Sequence, residues 1–290
     1  MALRPSAVFV TALGFGVGLL LSPVRLAADH QWGRYHWERS ANPLALDIGD
    51  NLDQVWRSHL NAAVQDWETP PSPYDDVLAL NIVAGGSDAD CSPTLGRVEV
   101  CNGNFGDNGW LGIAQIWTGR KSHIVQAVTV VNDFYYSPTY ANGFYDTAAW
   151  RQFVVCQEIG HAWGLDHQDE DFDNVNLGTC MDYTSDPDGT ASDQLSNEQP
   201  NAHDFEQLAL IYAHLDGAGS GGGGGGGGRG RFGGSGVPGV GFELPAQALS
   251  HVPGHAQAHW GRLVRANRRG GLFDFAFADG SHLFTFVIWA

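Results

Sequence analysis

The feature that most constrains this chain is the segment VCQEIGHAWGLDH near its middle. Its apolar residues predict a largely buried helix, and residues four apart on a helix share a face. Gln157 and His161 therefore point the same way, with Glu158 beside them. Gly164 can leave the helix in a left-handed turn that other residues resist, which would bring His167 to the same point. Two imidazoles and a third donor, beside a carboxylate, suit a zinc site that keeps one position open for water.

This segment resembles the zinc-binding motif of the metzincin endopeptidases, H-E-x-x-H-x-x-G-x-x-H followed by a Met-turn. Here the motif is QEIGHAWGLDH, and CMDY follows it downstream. The Met-x-Tyr form is similar to the astacin and serralysin branches of a group that also includes the matrixins. The resemblance implies that the general base is Glu158, the zinc ligands are His161 and His167, the floor of the site is Met181, and the oxyanion donor is Tyr183.

One position departs from the family motif, because the first ligand is His in the family and Gln157 here. An amide oxygen can coordinate zinc, but it is neutral, harder and weaker than imidazole. Gln157 would then ligate through its carbonyl oxygen, or solvent would take its place. The alternative is a relic that has lost its metal and serves as a peptide-binding or scaffold protein. Retention of Glu158 favours the enzyme, since a binding module has no need of a base.

The resemblance implies an α+β fold, in which a twisted mixed sheet lies above the active-site helix and the Met-turn closes the lower half. Alternating residues predict a strand at 44–48, and Asn51 is expected to cap a helix with a core-facing apolar stripe. A strand at 77–83 would then pair in parallel with the first. Further segments complete the predicted domain: a short strand at 95–101, a strand at 111–117, a strand at 123–131, the active-site helix capped by Thr147 and a closing helix capped by Asn201.

Three of these elements carry more specific expectations. In the family, an edge strand at the place of 111–117 pairs with the extended substrate. His123, at the start of the next strand, is an isolated histidine that we expect on the surface. Asp166 is expected to orient the imidazole of His167 by accepting a hydrogen bond from it.

Composition divides the chain into four parts. Residues 1–28 contain an uncharged apolar run that is too short for a comfortable membrane span, which predicts a cleaved secretory signal and no stable membrane insertion afterwards. A run of consecutive glycines cannot bury a core and predicts a flexible linker. The predicted parts are the signal 1–28, the catalytic domain 29–216, the linker 217–241 and a small β-rich C-terminal appendage 242–290 with strands near 258–263, 272–278 and 283–290.

The four cysteines fit an exported protein, because disulfides persist in oxidising compartments. Four cysteines allow three pairings, and local spacing favours two of the possible bridges. Cys91–Cys101 would close a short hairpin, and Cys156–Cys180 would tie the active-site helix to the Met-turn. A zinc cluster of all four cysteines is the alternative, which these spacings do not suit. We therefore predict an extracellular or periplasmic protein.

The net charge of the chain is −17, and the excess of acidic residues lies in the predicted catalytic domain, which argues against nucleic acid and anionic membranes as partners. We expect a monomer that acts on a protein or peptide substrate. Besides Zn²⁺, Ca²⁺ is a candidate ion, because acidic loops offer oxygen ligands. The candidates are Asp88, Asp90, Asp107, Asn108 and the acidic run 168–174. The alternatives are turn chemistry for the first four and a solvated loop for the run.

Overall fold

The computed structural model describes residues 30–74, 77–87, 89–119, 122–216 and 257–290. The predicted signal and the predicted linker lie outside these residues, as does the first part of the predicted C-terminal appendage. These described residues form three α-helices and nine strands. The helices are α1 (Gln54–Trp67), α2 (Ala148–Ala162) and α3 (Ala202–Ile211). The strands are β1 (His36–Trp37), β2 (Leu44–Asn51), β3 (Leu78–Ala84), β4 (Arg97–Gly103), β5 (Trp110–Thr118), β6 (His123–Asn132), β7 (Arg262–Ala266), β8 (Gly270–Ala276) and β9 (His282–Trp289).

All nine strands belong to one mixed sheet in the order β3-β2-β4-β6-β5-β9-β8-β7, with β1 beside the first part of β6. From β3 through β2 and β4 to β6, every pair is parallel, so the predicted parallel pairing of β2 with β3 is confirmed. From β6 through β5 to β7, every pair is antiparallel. The α+β class with a mixed sheet is therefore confirmed.

Helix α1 begins two residues later than the sequence pattern suggests. Asp53 is the N-cap, because its carboxylate accepts hydrogen bonds from the backbone N–H groups of Val55 and Trp56. Asn51 ends β2 instead, and its amide donates to Glu99 at 2.6 Å. The predicted apolar stripe of α1 is buried as expected: Trp56, Leu60, Ala63, Val64 and Trp67.

Helix α2 runs against the sheet, and its side chains from Phe153 to Ala162 are all buried. Thr147 caps it as predicted, since its hydroxyl accepts the N–H of Trp150 at 3.1 Å. Asn201 caps α3 through a capping box with Asp204. Within the described parts of the chain, none of the helices combines the length and the apolarity needed to cross a bilayer.

The prediction that the strand at 111–117 forms a free edge is wrong. Strand β5 pairs with β6 on one side and with β9 on the other, and Gln115 lies opposite Thr285 in this second ladder. The β9 sequence HLFTFVIW is apolar on both faces, so it is stable only where both faces are covered. The C-terminal strands therefore extend the main sheet and close the edge that a substrate was expected to use.

The two predicted disulfides are confirmed. Cys91 is bonded to Cys101 with a Cα–Cα distance of 6.1 Å, and Cys156 to Cys180 with 5.9 Å. The second bridge closes a loop of 24 residues, which is worth about 3 kcal/mol in the loop-entropy account. Two disulfides and no free cysteine fit an oxidising compartment.

Candidate metal centre

The chain turns sharply at the end of α2. Gly164 has φ of +100°, and a Cβ at this position would lie 2.5 Å from the carbonyl oxygen of Tyr35. Only glycine fits this left-handed turn against the neighbouring backbone. The turn returns the chain so that Nε2 of His167 lies 3.0 Å from Nε2 of His161. The structure thus brings together the two imidazoles that the sequence spacing suggested.

In neutral rings, the hydrogen bonds that the two Nδ1 atoms make would leave the facing Nε2 atoms without a proton. Nδ1 of His161 lies 2.9 Å from the carbonyl oxygen of Leu165, which can only accept, so this nitrogen donates. Nδ1 of His167 donates in the same way to the carboxylate of Glu170 at 3.2 Å. Two neutral rings held like this present lone pairs to each other at 3.0 Å. A cation between them removes the repulsion, and metal-binding histidines have this donor arrangement.

Gln157 and Glu158 each bring an unpaired oxygen to this region. The amide nitrogen of Gln157 donates to the carbonyl oxygen of Cys180 at 2.8 Å, which fixes the orientation of the amide. Its Oε1 is buried and has no hydrogen-bond partner among the residues that the structure describes, and the same holds for Oε2 of Glu158. Two imidazole nitrogens and an unpaired amide oxygen are a donor set that fits zinc.

Burial changes the acid–base properties of the two central groups. Removal from water raises the pKa of Glu158 well above its usual value. Burial lowers the pKa of His161 well below its usual value, which favours the neutral ring that can bind a metal. A bound cation would lower the pKa of Glu158 again and return it to the ionised form that a base needs.

Met181 packs against α2, and Tyr183 packs against His167. The sulfur of Met181 packs so closely on Gly160 of α2 that a Cβ there would overlap it. The ring of Tyr183 lies 4.3 Å from the ring of His167, between centroids. Burial raises the pKa of Tyr183 well above its usual value, so its hydroxyl keeps its proton and can donate.

The carboxylate that orients His167 is that of Glu170. The sequence suggested Asp166 for this role. Oδ1 of Asp166 lies 3.7 Å from Nδ1 of His167, which is beyond hydrogen-bond reach. It accepts the backbone N–H of His167 at 2.8 Å instead. The hydrogen bond from His167 lowers the pKa of Glu170, which therefore stays ionised. Because Asp166 is fixed by backbone geometry, only Glu170 has the freedom to reach the ring.

The C-terminal strands cover this region. Phe286 of β9 stacks on His161, with ring centroids 4.1 Å apart and an angle of 15° between the planes. Arg265 of β7 forms a two-pronged ion pair with Asp166 and also lies 3.0 Å from Glu170. The hydroxyl of Tyr183 packs directly on Gly270 of β8. Under this cover, Glu158 and His161 are each 1% exposed and His167 is 9% exposed.

Gly112 of β5 also contributes to this region, and sequence analysis did not identify it. A Cβ at this position would lie 2.6 Å from Val154 and 3.1 Å from Glu158. The missing side chain therefore leaves the space that Glu158 occupies. Its signal in the sequence is weak, because a glycine inside an apolar strand indicates a close approach without naming the partner.

Substitution of Gly112 by Val is expected to displace Glu158 while the ladder hydrogen bonds remain. Overpacking of a buried site costs about 1–3 kcal/mol, so the melting temperature should fall by several degrees. Any hydrolysis that depends on Glu158 should fall much further, because this carboxylate moves from its place. Thermal unfolding and peptide hydrolysis measured on the same sample check this. Equal loss of activity in Gly103→Val, which meets only Phe105, would contradict it.

The calcium candidates are partly accounted for by loop hydrogen bonds. Asp107 accepts the hydroxyl of Tyr135 at 3.0 Å, and Asn108 accepts from the amide of Asn132 at 2.9 Å. Asp88 lies outside the described residues. In the described ranges, the groups of three or more His, Cys, Asp or Glu with converging ligand atoms are His36, His214 and Asp216, and Asp166, His167 and Glu170.

No protein-family model, no curated protein and no solved structure matches this chain.

Proposed function

We propose that this protein is a secreted zinc endopeptidase of metzincin type whose own C-terminal strands keep it latent. The observation that carries the proposal is the pair of facing imidazole nitrogens of His161 and His167, held 3.0 Å apart beside the buried carboxylate of Glu158. The Nδ1 atoms of both rings face oxygen acceptors, so in neutral rings both Nε2 atoms are free to bind a metal.

Each residue of the centre has a separate role in peptide hydrolysis. His161, His167 and the carbonyl oxygen of Gln157 would hold the zinc. A zinc ion held there would supply Lewis-acid chemistry to the reaction. Glu158 would take a proton from the attacking water and later deliver it to the leaving amine. The Tyr183 hydroxyl donates to the oxygen that gains negative charge.

The metzincin comparison is supported by the order of the elements. A parallel β2-α1-β3 unit comes first, an antiparallel β5 follows later, and α2 then carries the motif to a glycine turn and a methionine that packs beneath it. In this reading an extended peptide substrate pairs with β5, as in other β-augmentation complexes. Strand β9 now holds that position, so the substrate and β9 exclude each other. The enzyme is therefore expected to act only after β9 has left.

The second candidate function is a non-enzymatic binding or scaffold protein. The observations in its favour are the weak ligand Gln157 and the complete cover over the centre. The burial of Glu158 favours the enzyme instead. A buried ionisable side chain with one unpaired oxygen lowers the stability of the fold, so its presence suggests a function.

Hydrolysis of casein or of a mixed peptide library tests the proposal. The secreted protein is compared before and after a protease has cut the glycine-rich segment and the C-terminal peptide has been removed under mild denaturant. We expect hydrolysis only after removal, loss of hydrolysis with a zinc chelator and its return with added zinc. Hydrolysis that persists with the chelator would contradict the proposed zinc peptidase. So would the absence of hydrolysis from a folded, zinc-loaded protein whose C-terminal peptide has been removed.

The proposed role of Gln157 as a zinc ligand can be tested separately. Substitution of Gln157 by His is expected to tighten zinc binding by at least about tenfold, because imidazole is the stronger and better matched donor. Competition with a coloured chelator gives the dissociation constants of both proteins. Gln152→His, one turn earlier on α2 at a position that hydrogen-bonds His59, is the control and should change nothing. An unchanged constant for Gln157→His would show that this position does not touch the metal.

A further inference from the structure

Three histidines and one aspartate form a second cluster on the structure, at the end of the sheet where β1 lies beside β6. We call these four residues the His36 cluster; they are His36 of β1, His123 at the start of β6, and His214 and Asp216 after α3. The Nε2 atoms of the three rings lie 3.5, 3.4 and 3.2 Å from one oxygen, Oδ1 of Asp216. His123 is thus not the isolated surface residue that the sequence suggested. Its side chain is 14% exposed and faces this carboxylate.

Hydrogen bonding does not explain this convergence. Nδ1 of His36 donates to the carbonyl oxygen of Arg34 at 2.9 Å, so a neutral ring presents the lone pair of Nε2 to the carboxylate. Nδ1 of His123 is buried without a hydrogen-bond partner in the part of the chain that is described. The other oxygen of Asp216 is used by the backbone N–H of Arg39 at 2.8 Å. Three imidazoles therefore converge on one carboxylate oxygen, which has two lone pairs to offer.

The three nitrogen–oxygen distances are compatible with ligands of one metal ion. Zinc bonds to nitrogen and oxygen are about 2.0–2.2 Å long, and tetrahedral angles then place neighbouring ligand atoms about 3.3 Å apart. The observed 3.2–3.5 Å agrees with this spacing. A charged N–H···O⁻ hydrogen bond would be shorter, at about 2.7–2.9 Å. The Nε2 atoms of His36 and His214 and the oxygen of Asp216 also all lie within 4.8 Å of one another.

We propose that the His36 cluster binds a zinc ion of its own, separate from the candidate metal centre. His36, His214 and Asp216 are the residues whose ligand atoms converge closely enough to share one ion, and His123 lies next to them, 3.4 Å from the same carboxylate oxygen. The Arg34 carbonyl fixes the tautomer of His36, as acceptors commonly do around metal-binding histidines. Glu38, whose Oε2 lies 4.0 Å from Nδ1 of His123, is placed to do the same for that ring.

The site would join parts of the chain that are far apart in sequence. It links β1 at the start of the described chain with the segment that follows α3, a closure between positions 36 and 216. The Cα of His36 would lie 3.9 Å from a Cβ at Gly164, the residue that turns the chain toward His167. Zinc at the His36 cluster thus holds β1 against the back of that turn. It stabilises the folded state by mass action, because the unfolded chain has no such site.

Zinc content of the full chain tests the proposal. We compare four proteins after equilibration with zinc and dialysis: the wild type, His36→Ala/His214→Ala, His161→Ala/His167→Ala, and His203→Ala as a control in α3. Elemental analysis is expected to give two, one, one and two zinc ions per chain. Added zinc should also raise the melting temperature of His161→Ala/His167→Ala, in which the His36 cluster is the proposed site that remains, by about 5 °C.

The four results separate this site from the candidate metal centre. If His36→Ala/His214→Ala holds as much zinc as the wild type, the second site does not exist. If His161→Ala/His167→Ala also holds as much as the wild type but His36→Ala/His214→Ala holds less, the second site stands and the proposed function fails. Asp216→Asn serves where the double variant does not fold, because asparagine still accepts the N–H of Arg39. It should weaken zinc binding at this site at least about tenfold, and unchanged binding would overturn the site.

Discussion

Substitution of Phe286 by Ala is expected to raise the peptidase activity of the full-length protein by about a hundredfold. Phe286 is fully buried and stacks on the ring of His161, so it contributes to holding β9 over the centre. Truncation of a buried Phe costs about 3–5 kcal/mol. If at least 3 kcal/mol of this is lost from the closed form alone, the open population rises by about two orders of magnitude. Initial rates on a peptide library at saturating zinc measure the change.

The control for Phe286→Ala is a substitution of equal size elsewhere in the core. Phe205 of α3 is 3% exposed and packs near Trp67, so Phe205→Ala should lower the stability of the whole fold without uncovering the centre. A second pair of variants lies on β7: Arg265 is bonded to Asp166, whereas Arg262 is mainly exposed. We expect Phe286→Ala and Arg265→Ala to activate, and Phe205→Ala and Arg262→Ala to leave the activity low. Equal activity within each pair would rule out a cover formed by the C-terminal strands.

Substitution of Glu158 by Gln is expected to lower the rate of hydrolysis by about a hundredfold to ten-thousandfold, the range for loss of a general base. Glutamine has nearly the same shape, so the surrounding packing with Val154 and Gly112 is kept. It has no basic oxygen to take a proton. The comparison is made in the Phe286→Ala protein, where activity is high enough for the loss to be measured.

Zinc content distinguishes the loss of a base from the loss of the metal. Glu158 is not among the proposed ligands, so Glu158→Gln should hold as much zinc as its parent. Glu99→Gln is the matched control, because Glu99 is also a fully buried carboxylate but is paired with Arg97 on β4. It is expected to alter stability and to leave the activity of the folded protein unchanged. A Glu158→Gln protein that hydrolyses peptides as fast as its parent would exclude the proposed mechanism.

Local features of the fold could be predicted from the sequence because neighbouring residues determine them. Thr147 and Asn201 cap their helices, and Gly164 forms the turn that its position suggested. The helix start at Asp53 was missed because Asn51 and Asp53 are both good caps, and only the extent of β2 decides between them. Such competition between close alternatives is settled by tertiary structure.

The features that the sequence did not predict depend on contacts between distant parts of the chain. Gln115 and Thr285 are 170 residues apart, and no local pattern indicates that β9 would lie against β5. The same holds for His123 and Asp216, each of which has an ordinary sequence context until folding brings them together. Sequence periodicity reports which face of an element is buried, but it does not report which element covers it.

The central claim is that a metal ion lies between His161 and His167, and anomalous diffraction at the zinc absorption edge tests it most directly. Crystals of the full-length protein grown with zinc are expected to show a peak within bonding distance of both Nε2 atoms, close to Oε1 of Gln157, with Phe286 still stacked above. A peak at the His36 cluster with none between His161 and His167 would contradict the account, because the proposed hydrolysis then has no metal.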